Sequence, residues 1–348
     1  LRSNAFPHNK AECQAVRNGV GLADISSFAK YEITGPGAES WLSHMLANKM
    51  PRQGRLTLSP MLNEKGKVIG DFTVGKLADE QFFIFGSGAG EAYHMRWFEA
   101  HLPEDGSVTI KAHGLGLVGL TIAGPKAREV LAKLTDADVS HDAFKFLDFK
   151  KMELGMVPAM VGRVSFTGDL GYELWVKPEF HTRLFDDILT IGADYGIKLF
   201  GSRAMRSMSL EKGFGSWATE YRPIYGPYAA AMGRFVDMKK NDFIGREAAM
   251  KELQDGPAKR LVTFTLKAKE IDVMGNEPIY RDGKIVGYVT SGMYAHHANK
   301  SVAMGYIPAD MAEEFSDDLF RVEVFGEMLP ATILSETLFD PKAERMRG

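Results

Sequence analysis

The densest chemistry in the 348-residue sequence lies in Phe166-Thr167-Gly168-Asp169-Leu170-Gly171-Tyr172-Glu173-Leu174-Trp175. Turn glycines, aromatic rings and a carboxylate crowd into one turn and the start of one strand. Side chains alternate along a strand, so Tyr172 and Leu174 share one face while Glu173 and Trp175 share the other. A carboxylate beside aromatic rings can accept two hydrogen bonds from a flat heterocycle bearing N–H groups, while the rings stack on it. The same residues also describe a solvated strand face carrying one polar side chain. His94, in Tyr93-His94-Met95-Arg96-Trp97, adds a titratable group on a helix. Taken alone it reads as an ordinary core or surface histidine. The adjacent His296 and His297 point opposite ways in an extended loop and have no carboxylate at ligand spacing, so no metal centre is expected. Gly86-Ser87-Gly88-Ala89-Gly90 occupies the position of a dinucleotide loop, but Glu91 stands where the third glycine is needed and would oppose a phosphate. Ser209 lacks a neighbouring base and the sharp glycine turn of a nucleophilic serine, so it reads as lining of a helix face.

These groups must be positioned by repeated elements. Ile33-Thr34-Gly35-Pro36-Gly37-Ala38 with Leu42 and Met45 matches Ile122-Ala123-Gly124-Pro125-Lys126-Ala127 with Leu131 and Leu134, at a constant offset of 89 residues. In each copy a strand stops at Gly-Pro, and proline opens a helix whose apolar residues recur at helical spacing. After the first copy, strands are expected over 56–63, 67–77 and 81–87, a helix over 89–102 and a strand over 107–111. After the second, strands are expected over 157–166 and 172–176, then a helix over 178–195. Strand, helix, strand, strand, helix is the order of a split βαβ unit. The expected division is therefore 1–112 and 113–250, two α+β units of ferredoxin-like type. From 257 to 348 helical patterning gives way to short alternating strands separated by turns such as Arg281-Asp282-Gly283-Lys284, which predicts a small β-barrel.

Composition excludes several classes. A net charge of −3 gives no electrostatic footprint for nucleic acid. The single cysteine, Cys13, rules out an internal disulfide framework and a thiolate-rich zinc site, and fits a reducing, cytoplasmic setting. No apolar run reaches the ~18 residues of a membrane span. The chain begins at Leu1 without a secretory leader, so a processed chain or a piece of a longer one is expected.

The ordered set Gly35-Pro36-Gly37-Ala38, Met61-Leu62-Asn63, Phe166–Glu173, Leu210-Glu211-Lys212-Gly213, Asp242-Phe243-Ile244-Gly245-Arg246 and Val289-Thr290-Ser291-Gly292 resembles the glycine-cleavage aminomethyltransferase (T-protein) family of folate-binding proteins. Phe144–Leu147, Leu210–Trp217 and Asn276–Ile279 point to the branch formed by the C-terminal folate domain of dimethylglycine and sarcosine dehydrogenases. The resemblance implies two ferredoxin-like units and a barrel, arranged as a cloverleaf around tetrahydrofolate. It also implies that Glu173 holds the pterin edge, that Phe166 and Tyr172 flank the folate, and that Met61 forms an apolar wall. His94 aligns with the family's catalytic aspartate, and Ser209 aligns with a folate-contacting arginine. An imidazole could accept a proton there but supplies no permanent negative charge. The implied activity is capture by tetrahydrofolate of the one-carbon unit, iminium or formaldehyde, released from a small methylated amine. The oxidation falls to an upstream flavin (FAD) domain, because these residues carry no flavin fingerprint. The alternatives are a glycine-cleavage aminomethyltransferase, the folate half of another demethylase such as trimethylamine-oxide demethylase, and a folate-binding regulatory module without catalysis.

Overall fold

The computed structural model describes residues 2–348. Its first two-thirds contain strands β1 (Gly21–Asp24), β2 (Ala29–Thr34), β3 (Arg55–Leu62), β4 (Val68–Ala78), β5 (Gln81–Gly86), β6 (Thr109–Ala112), β7 (Val118–Ala123), β8 (Phe149–Leu154), β9 (Val157–Gly162), β10 (Gly171–Val176) and β11 (Lys198–Leu199). The helices there are α1 (Phe6–Asn18), α2 (Ala38–Met45), α3 (Glu91–Ala100), α4 (Ala127–Leu134), α5 (His181–Gly192) and α6 (Ser202–Glu211), with α7 (Arg246–Asp255) leading to the last third.

Two sheets result, ordered β3-β4-β5-β2-β6 and β8-β9-β10-β7-β1-β11. Both repeats end their first strand on a glycine that must adopt positive φ: Gly35 at +116° and Gly124 at +124°. At each, a Cβ would strike backbone oxygen, of Ser107 in one copy and of Val16 and Gly19 in the other. The Gly-Pro repeat is thus a steric requirement of the turn. Helices α2 and α3 cover one face of the first sheet through Trp41, Leu42, Met45 and Phe98. Helices α4 and α5 cover one face of the second through Val130, Leu131, Leu184 and Ile188. The uncovered faces meet each other. Leu56, Phe83 and Phe85 of the first sheet share a buried cluster with Phe149, Met160 and Trp175 of the second.

The division at 112/113 needs correction at both ends. β1 does not join the first sheet; it inserts between β7 and β11, antiparallel to β7 from Gly21↔Ala123 to Asp24↔Leu120. Beyond α6 the chain returns to the first unit. The Val68 N–H donates to the Tyr225 carbonyl at 2.9 Å, and the Ile244 N–H to that of His44 at 2.9 Å. The strand expected over 157–166 stops at Gly162, and β8 was not anticipated.

The last third is a closed barrel of β12 (Lys259–Leu266), β13 (Pro278–Arg281), β14 (Lys284–Ala295), β15 (Lys300–Pro308), β16 (Phe320–Val324) and β17 (Glu327–Ile333). The closure pairs β12 with β17, so no strand edge is left exposed. A final segment runs back toward α1 and ends in the short helix α8 (Glu344–Arg347).

Candidate functional site

Glu173 lies on the face of β10 that meets the first sheet. Tyr172 and Leu174 belong to the core beneath α4 and α5, whereas Trp175, two residues from Glu173, stacks on Phe85. Glu173 is buried, with 7% of the residue exposed. Burial alone pushes its pKa up to about 8, with no charge or hydrogen bond opposing it. Such a group is a neutral acid at pH 7 and becomes a carboxylate once N–H donors reach it.

A second buried carboxyl, Asp71, was not singled out by the sequence. Phe72 and Val74 of β4 pack into the helix-side core. At Gly75 a Cβ would lie 2.5 Å from the Phe149 ring across the sheet junction. By alternation Asp71 and Thr73 share Gly75's face, turned toward the second sheet. Asp71 Oδ1 is buried with no partner among the described residues. Burial raises its pKa to about 7, and the Glu220 charge adds to the rise. The available signal was an acid within an otherwise apolar strand, Val68-Ile69-Gly70-Asp71-Phe72.

The segment after α6 closes this region with polar order. Arg206 donates to Glu220 Oε2 at 2.7 Å and to the Ser291 hydroxyl at 2.7 Å. Glu220, fully buried, also accepts from the Ser216 N–H at 2.8 Å and the Thr290 hydroxyl at 2.7 Å. These donors hold its carboxyl below the usual carboxylate range despite burial. The pair ties α6 to the Val289–Gly292 stretch of the barrel.

The expected site residues divide. Phe166 is half-buried and lies parallel to Phe214, centroids 6.2 Å apart. Glu173 reaches the inter-sheet face. Tyr172 does not: it is fully buried on the opposite face, parallel to Phe144 at 5.7 Å, with its hydroxyl accepting from Arg128 at 3.3 Å. Met61 is fully buried in the first unit's core and presents no atom to solvent. Ser209 is also inaccessible, its hydroxyl donating to the Arg206 carbonyl at 3.0 Å. The guanidinium absent at 209 is present one helical turn earlier, in Arg206, where it serves Glu220.

His94 is corrected most. It has no exposed surface and is packed edge-on between Phe72 (4.8 Å) and Trp217 (5.0 Å). A Cβ at Gly70 would sit 3.4 Å from its Nε2, which places it on the helix side of β4, opposite Asp71. The Tyr31 hydroxyl and His94 Nδ1 share a hydrogen bond of 3.1 Å. Burial pushes the imidazole down to about 4. The ring is a neutral packing element, and no reacting atom can touch it.

Comparisons with known proteins agree with this architecture. The GCVT N-terminal domain family matches residues 2–240, and the glycine cleavage T-protein C-terminal barrel domain family matches 259–340. The chain belongs to the glycine cleavage T-protein family. Human dimethylglycine dehydrogenase, a mitochondrial protein, is 36% identical over 350 residues, covering 99% of this chain and 40% of that protein. The chain therefore spans less than half the length of that relative. An aminomethyltransferase of Desulfitobacterium hafniense (strain Y51) is 28% identical, over 94% of this chain and 89% of its own length. The crystal structure of the glycine cleavage system aminomethyltransferase T from Bartonella henselae superposes with a TM-score of 0.86 at 23% identity, covering 96% of this chain and 90% of that one. This T-protein-family chain is thus a domain of the aminomethyltransferase type, and the homologues named here are enzymes. Among the described residues no helix is long and apolar enough to cross a membrane, and no cluster of three or more potential metal ligands occurs.

Proposed function

We propose that this domain binds tetrahydrofolate between its two sheets and transfers to it a one-carbon unit derived from a small methylated amine of the dimethylglycine or sarcosine type. The observation that carries the reading is Glu173: a buried, unpartnered carboxyl on a strand face beside stacked aromatic rings. Burying an unpaired carboxyl costs stability, and a heterocycle with adjacent N–H donors removes that cost while ionising the group. Tetrahydrofolate, when bound, supplies the nitrogens that take up the carbon as 5,10-methylenetetrahydrofolate.

The chain's own residues do the rest. Glu173 accepts the N–H pair of the pterin edge, and Phe166 with Phe214 offers an aromatic wall. Asp71, with a pKa near 7, exchanges a proton at neutral pH, the condition for general acid–base work on an amine and an iminium carbon. The dry junction keeps water from the electrophile. Oxidation of the amine falls to a flavin domain outside these residues, consistent with the fraction of dimethylglycine dehydrogenase that the chain spans.

Titration calorimetry with tetrahydrofolate tests binding; no heat at high micromolar ligand would reject it. A kinetic assay with formaldehyde tests chemistry, requiring 5,10-methylenetetrahydrofolate to form faster than in buffer. An assay with an aminomethyl-lipoyl carrier separates the demethylase-type role from that of a glycine-cleavage enzyme.

A further inference from the structure

The turn that begins at Phe166 and leads into Glu173 is held from the far end of the chain. Arg17 of α1, fully buried, donates to the Thr167 carbonyl at 2.9 Å, to Asp169 Oδ2 at 3.3 Å and to Glu211 Oε2 at 2.9 Å. Arg345 donates to the Arg17 carbonyl at 2.6 Å and to Asp169 at 3.1 Å. Lys212 pairs with Asp340 at 2.9 Å, and its stem lies over Gly168, where a Cβ would meet it at 2.6 Å. The Phe339 ring sits among all three cations: the Arg17 guanidinium is 3.5 Å from its centroid, Arg345 5.3 Å and Lys212 5.9 Å. The Phe339 N–H donates to the Glu211 carbonyl at 3.1 Å. Arg163 donates to the Arg347 carbonyl beyond it.

The charges balance, with Arg17, Lys212 and Arg345 against Asp169, Glu211 and Asp340. Apart from Arg345, whose side chain is 37% exposed, the members are nearly inaccessible, so the network has few alternative arrangements: displacing Arg17 or Lys212 leaves a buried carboxylate without its cation. The turn itself needs support. Gly168 sits at φ +75°, and the expected strand dissolves after Gly162, so no sheet pairing fixes residues 163–170.

We infer that the segment Phe339–Arg347 is a clamp on the Phe166–Gly171 turn, with Phe339 and Arg345 as positioning residues for the ligand-facing Phe166 and Glu173. The functional readout of this clamp rests on the tetrahydrofolate reading above. Neither residue touches the inter-sheet site; both act through Asp169 and Arg17. Preorganising a turn before the ligand arrives lowers the ordering cost of binding, so loosening it weakens affinity without removing any ligand contact.

The test uses the full chain and three variants: Arg345→Ala, Arg345→Lys and Phe339→Ala. Calorimetry with tetrahydrofolate reads affinity and stoichiometry separately, and hydrogen exchange by mass spectrometry reads protection over residues 165–171. Both alanine variants are expected to raise Kd about tenfold at unchanged stoichiometry, the loss of one charge-assisted contact or its equivalent in ordering. Exchange over 165–171 should rise, and Arg345→Lys, which keeps the charge, should recover most of both. Wild-type Kd in Arg345→Ala, or a fall in stoichiometry alone, would overturn the clamp, because misfolding removes sites without weakening those that remain. If the wild-type chain binds no tetrahydrofolate, the folate reading fails and exchange alone judges the clamp. Unchanged protection in Arg345→Ala then rejects it, and lost protection upholds it.

Discussion

The indole of Trp175 lies parallel to the ring of Phe85 across the sheet junction, with centroids 4.6 Å apart and planes 19° apart. One ring belongs to each sheet, so this contact sets how closely the sheets approach. Glu173 lies two residues along the same strand face and is buried there. Substituting Trp175 with alanine should cost about 3–5 kcal/mol, measured by urea denaturation, since it empties a large volume in the central cluster.

Glu173 should make ligand binding pH-dependent. Its carboxyl, with a pKa pushed up to about 8, carries a proton at pH 7 in the free protein. Hydrogen bonds from N–H donors favour the carboxylate, so binding releases that proton. Affinity should rise as pH increases toward 8 and level off above it. Calorimetry at pH 7 in buffers of differing ionisation enthalpy should register proton release, and Glu173→Ala should abolish both the release and most of the binding.

Asp71 is expected to separate binding from turnover. Asp71→Asn keeps the shape and loses the exchangeable proton. Turnover should fall about 10²–10⁴-fold, the usual range for a general acid–base group, while Kd stays near wild type. The wild-type pH–rate profile should bend near 7, the value to which burial raises this carboxyl, and the variant should lose that bend.

His94 should weaken the fold in acid. Its pKa is pushed down to about 4, below the ordinary imidazole value of 6.5. Between those values the unfolded chain binds more protons than the folded one. The stability from neutral burial is therefore complete above pH 6.5 and lost as pH falls toward 4. The expected loss between pH 7 and pH 5 is roughly 2 kcal/mol by denaturant titration, and His94→Phe should flatten that dependence.

Arg206→Ala should destabilise the chain by about 3–5 kcal/mol, because it leaves Glu220 buried without its cation. Glu220→Gln should cost less, since it leaves no unpaired buried charge and its one amide oxygen still accepts from either the Ser216 N–H or the Thr290 hydroxyl, which reach different carboxylate oxygens. Thermal unfolding of the two variants ranks them.

The parts of the fold that were legible in the sequence are those fixed by local sterics. Gly35 and Gly124 announce themselves because nothing larger fits the turn, and the barrel hairpins carry their own turn residues. β1 carries no such mark. Gly21-Leu22-Ala23-Asp24 is four residues long, and its partners lie near residues 120 and 198. Glu173 was legible through alternation along one strand. Asp71 was not, because an acid in a strand normally faces water, and the Glu220 and Tyr221 that lie near it come from a segment about 150 residues later. The spacing around His94 gave its helix but not the side on which that helix meets β4. The face it shows depends on Gly70 and Gly90 making room for the ring.

The insertion of β1 between β7 and β11 has a consequence for how such a chain can arise and be divided. β1 waits about a hundred residues for its antiparallel neighbour and longer for its parallel one, a late loop closure that slows assembly. A cut after Ala112 would leave the later fragment with its edge strand β11 detached from β7, and the earlier one with a strand that has nowhere to pair. The two repeated units descend to a common pattern yet are sewn together by this exchange. Neither half is a module that could be lent to another protein, and the smallest transferable piece contains both.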